Sequence, residues 1–119
     1  MSHELTLVSL DAARVRQFGA VIDYIAGIHH HIDPEYFDID LAALQALGGR
    51  LGQENPFPFD FTNQFLLETA LDAAETYAAR RGYDPVPGVD AADFESLMRL
   101  LADIHGAMLD KTGGRLKRK

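Results

Sequence analysis

Apolar residues spaced alternately three and four apart govern most of this chain. Val15, Phe18, Ile22, Ile25, His29 and Ile32 follow that spacing, and so do Phe94, Leu97, Leu101, Ile104 and Met108. A period near 3.6 places each set on one face of an α-helix, and one face is what a bundle core needs. A third long segment, about Thr62 to Arg81, is also helical in pattern. Strand-like alternation is confined to Leu5/Leu7 and to Phe57, Phe59 and Phe61. The predicted fold is therefore all-α. It is a single-domain bundle or irregular array of about four helices, one of them short, with an extended Pro/Phe-rich linker.

Punctuation in the sequence sets the expected boundaries. The first helix is predicted from Ser9, a good N-cap, to His31, with Asp11 in its first turn and Pro34 forbidding continuation. A short helix is expected from Asp40 to Leu47, stopped by Gly48-Gly49. The two prolines of Asn55-Pro56-Phe57-Pro58-Phe59 exclude a helix there and argue for an extended, buried linker. A minor pairing with the Leu5/Leu7 segment is the lesser alternative. In the third helix, Phe65, Leu66, Ala70, Leu71, Ala74, Tyr77 and Ala78 form the expected buried face, opposite Gln64, Glu68, Asp72 and Glu75. The fourth runs from Asp90 to about Asp110, ahead of Gly113-Gly114. Residues 1–112 are thus the helical domain, and residues 113–119 are expected to be a basic flexible tail.

Charge divides the chain in the same place. Every lysine lies at Lys111, Lys117 or Lys119, and with Arg115 and Arg118 the last nine residues carry five of the eleven basic groups and no acid. The first 110 residues hold six arginines against all eighteen acids. Such an acidic body repels phosphate backbones and favours a protein partner with a basic surface, while the basic tail suits contact with a polyanion. Homo-oligomerisation is compatible with the same pattern. There is no cysteine, so disulfides, thiolate catalysis and Cys-ligated zinc are absent. No apolar run approaches the ~20 residues of a membrane span, and Met1-Ser2-His3-Glu4 lacks the basic flank of a secretory signal, so a soluble cytoplasmic protein without membrane contact is expected.

Most of the imidazole chemistry is packed into one turn, Ile28-His29-His30-His31-Ile32-Asp33-Pro34, out of five histidines in all. Imidazole is the commonest protein metal ligand. The candidate ligand set is His29, His31, Asp33, His105 and Asp110, which would suit a transition metal such as zinc or iron. His105 and Asp110 resemble the last ligand pair of hemerythrins. Residues 40–81 contain no histidine to match the pairs on the two middle helices of that family. A di-metal carboxylate bundle would need Glu-x-x-His pairs, and none occurs. The competing reading makes His29 and His105 hydrogen-bonded core or boundary residues, with His29 the most buried of the triplet.

Catalytic constellations are missing. Ser2, Ser9 and Ser96 occupy no nucleophile elbow, and Gly48-Gly49-Arg50-Leu51-Gly52 has neither the lysine nor the preceding strand of a phosphate loop. Large aromatics remain as binding material: Tyr36, Phe37, Phe57 and Phe59 are the candidate partner anchors, or else they cap the core. The favoured expectation is a small acidic, non-enzymatic interaction or regulatory protein of the inhibitor, immunity, adaptor or phage-type accessory class. It would bind a basic macromolecular partner and need no cofactor. The alternative is a small metal-binding helical protein using the histidine/carboxylate cluster.

Overall fold

The computed structural model describes residues 6–112, with side chains through Asp110. The expected basic tail, residues 113–119, lies outside the described residues, as does Leu5. Four helices carry the fold: α1 (Ala12–Ile28), α2 (Leu41–Leu51), α3 (Phe61–Ala79) and α4 (Ala91–Thr112). A two-stranded antiparallel ribbon joins β1 (Thr6–Val8) to β2 (Phe57–Phe59). The mostly helical architecture matches the apolar spacing. No described helix is long and apolar enough to cross a membrane.

Side-chain caps set the helix starts. Asp11, not Ser9, opens α1, because its carboxylate accepts the Arg14 backbone N–H at 2.8 Å. Asp40 caps α2 through the Ala43 N–H. Asp60 and Asn63 satisfy each other's backbone donors at the start of α3, and Asp90 and Asp93 do the same at α4. Each such cap contributes about 0.5–2 kcal/mol.

Three expectations are corrected. Gly48-Gly49 does not stop α2, which continues to Leu51 and ends at Gly52. Gly48 is instead a contact position: a Cβ there would lie 2.9 Å from Ile22 Cδ1. That approach, with Val15 beside Gly52, makes α1 and α2 an antiparallel pair. The first helix ends at Ile28, and the three histidines form a separate 3-10 turn, His29–His31. The proline-rich linker is extended and buried as expected, but the pairing given as the lesser alternative is the one that forms, with Thr6 opposite Phe59, Leu7 opposite Pro58 and Val8 opposite Phe57. Pro58 faces Leu7 at the kind of antiparallel position that needs no ladder N–H, while Phe57 and Phe59 both point inward and are fully buried.

The phase of α3 differs from the expectation at its start, while Ala70, Leu71, Ala74 and Ala78 are buried as expected. Gln64 is 1% exposed and Phe65 64% exposed, the reverse of the sequence reading. Gln64, Leu67, Leu71, Ala74 and Ala78 are the buried stripe, itself spaced three and four apart. The Gln64 amide donates to the Leu101 carbonyl at 3.2 Å and to Glu68 at 3.4 Å, so its burial is compensated. This bond and the Phe61–His105 ring contact make α3 and α4 antiparallel neighbours. The alanines of α3 allow close packing around Phe18, Phe94, Leu97 and Leu101 at the centre.

Candidate interaction surface

The connection from α1 to α2 is held by short-range bonds. The His29 Nε2 pairs with the Ile39 carbonyl at 3.0 Å, closing the two ends of the segment on each other. Between them, the Asp33 carbonyl accepts from the Tyr36 and Phe37 N–H groups, and its carboxylate accepts from the Glu35 N–H. Phe37 folds inward, edge-on to Tyr77 of α3 at 6.5 Å between ring centroids. Its neighbour Tyr36 is consequently pushed outward and stands 78% exposed.

A cleft of about 560 Å³ opens between this segment and α3. Tyr36 and Phe37 form one wall, Phe65 and Met98 contribute to the other, and Glu35, Asp38, Glu68 and Asp72 supply four carboxylates. Among the described residues no basic side chain lines it. Among the described residues the ion pairs are Arg50–Glu54 and Arg99–Glu95, both exposed i,i+4 pairs, so none of the four cleft carboxylates has a cationic partner. A second cleft of about 580 Å³ adjoins it across Tyr36 and Phe37, where Arg80 lies over the Tyr77 ring at 5.3 Å.

Of the four aromatic candidates, only Tyr36 and Phe37 reach this surface. Phe57 and Phe59 are both 0% exposed and touch each other edge-on at 4.9 Å, so they belong to the core and offer a partner nothing. Phe65 is hydrophobic but out of phase with the buried stripe of α3, so its residue type alone points to the wrong face. The three-four run from Gln64 to Ala78 was the signal that would have found it.

The histidine/carboxylate set does not converge. Among the described residues no three His, Asp or Glu side chains form a group able to hold a metal ion. His29 is engaged by a backbone carbonyl and Asp33 by a turn N–H. His30 and His31 are exposed, with tilted rings 4.0 Å apart and no third ligand among the described residues. His105 packs edge-on against Phe61 at 5.7 Å, and its buried Nδ1 has no hydrogen-bond partner among the described residues. Asp110 stands exposed near the end of α4. As expected, His29 is the most buried of the triplet.

Comparison of the chain with family models, with curated proteins and with solved structures returns no match.

Proposed function

We propose that this chain is a non-enzymatic interaction or regulatory protein that captures a basic protein segment in the cleft between residues 34–38 and α3. One observation carries the reading: two strongly exposed rings, Tyr36 and Phe65, share a cleft with four carboxylates that have no cationic partner among the described residues. Exposed large aromatics are suited to anchor an interface, and the carboxylates select a partner by charge. Lysine and arginine suit this surface doubly, because their aliphatic stems lie along rings while their heads reach carboxylates.

A fluorescent peptide rich in lysine and arginine, titrated with the protein, tests this by anisotropy. Binding should weaken as salt rises, and a glutamate-rich control should not bind. Phe65→Ala and the double change Glu68→Gln, Asp72→Asn should each lower affinity by about tenfold or more, the effect of losing ~1.4 kcal/mol. Equal affinity for the variants would remove the cleft from the function.

A further inference from the structure

We infer that the cleft also accepts the basic segment Arg115–Lys119 of a second copy of this chain, so that the protein associates with itself through its own sequence. The inference rests on the cleft being the basic-partner site proposed above. Two observations favour this occupant. The segment carries four cations, Arg115, Lys117, Arg118 and Lys119, around a single apolar residue, Leu116. The cleft offers four carboxylates around exposed rings. Charge and apolar content match on the two sides.

Reach decides between the same copy and another. Met98 marks the level of the cleft along α4, and Thr112 ends the helix. Fourteen residues of helix separate them, about 21 Å at 1.5 Å per residue. Residues 113–119 span at most about 23 Å when fully extended, and reversing direction consumes part of that length. Within one copy only the end of the segment can return as far as the Met98 level of the cleft, although its near edge at Phe65 lies closer. Across two copies all four cations and Leu116 can engage at once. Such a contact joins two different surfaces, so it forms a reciprocal pair or extends as a chain.

Sedimentation velocity of the full chain tests the inference. At about 10 mM salt the mass should rise with concentration above the 13.1 kDa of one copy, and at about 500 mM salt it should return to that value. One full-length variant replaces Arg115, Lys117, Arg118 and Lys119 by Gln, and another carries Glu68→Gln with Asp72→Asn. Each should stay monomeric alone, while a mixture of the first (intact cleft) and the cleft variant (intact tail) should form a complex. Self-association of the tail variant, or failure of the mixture, overturns the inference. So does a chain that stays monomeric throughout while its tail variant binds the basic peptide more tightly, which is the signature of docking within one copy. The foreign peptide separates the two readings: if it binds the cleft without any self-association, this inference falls and the proposed function stands. If it fails to bind the tail variant, the proposed function falls.

Discussion

Residues 33–38 and 55–60 look alike as sequence: each is a proline-containing connection with two large aromatics that leads into an aspartate-capped helix. The fold treats them oppositely. Phe57 and Phe59 alternate on a strand, so both rings fall on the face that β2 turns to the core. Tyr36 and Phe37 are adjacent in a turn, so one ring goes in and the other goes out. Spacing, more than residue type, decides whether an aromatic pair becomes core or surface. The charges follow the same division. Arg50 lies over the Phe57 ring at 4.9 Å and binds Glu54, so the closed segment has its compensating cation nearby. The open one shares with α3 a cleft whose four carboxylates have no cationic partner among the described residues.

The largest expected effect breaks the comparison directly. Phe59→Ala removes a fully buried ring and should cost about 3–5 kcal/mol, measured by urea denaturation. Tyr36→Ala and Phe65→Ala should each stay within about 0.5 kcal/mol of the parent, because truncating a solvent-facing ring leaves no cavity. A Phe65→Ala variant as unstable as Phe59→Ala would mean that Phe65 belongs to the core and that the cleft is closed in solution.

Much of the fold is legible in the sequence. The stripe of α4 is buried as its spacing required, with Phe94, Leu97, Leu101, Ile104 and Met108 all in the core. The four helices were identified within a few residues. What failed were local decisions between competing signals. Gly48 reads as a stop, yet tertiary packing against Ile22 explains it, and no rule about helix ends contains that information. Ser9 and Asp11 are both good caps, and only the backbone geometry selects Asp11. The candidate site was half legible. Tyr36 and Phe37 stood out as aromatics, but the cleft depends on residues 34–38 lying against α3, a contact between segments some thirty residues apart that no periodicity encodes.

An intermediate effect tests the reversal at the start of α3. Gln64→Ala should cost about 1–3 kcal/mol, since it removes a buried amide bonded to the Leu101 carbonyl and leaves space in the core. Gln64→Leu should recover part of that loss by refilling the volume, because the Leu101 oxygen keeps its place in the helix. Thermal melts of both variants measure the difference. If Gln64→Leu were the worse of the two, the hydrogen bond would outweigh the packing and specify how α3 meets α4.

The smallest effect sharpens the electrostatic half of the comparison. The Arg50 guanidinium donates to both Glu54 oxygens, at 2.8 and 3.3 Å, and this bond holds the Glu54 carboxyl below its ordinary value. A carboxyl lowered in the folded state contributes stability that is present above the unfolded pKa and lost as pH falls through the folded one. The relevant window therefore lies in the acid range, below the ordinary glutamate titration. The pair is exposed and salt-screened, so its contribution to the melting temperature should be slight. Its titration is nonetheless readable: side-chain carboxyl NMR should place the Glu54 midpoint below that of an unpaired glutamate, and Arg50→Gln should restore it. The same substitution removes the cation over Phe57 while leaving the ring buried, so stability near neutrality should hardly change. A marked loss there, larger than the loss from Glu54→Gln, would show that Arg50 secures the covered aromatic segment through its stacking as well as through the ion pair.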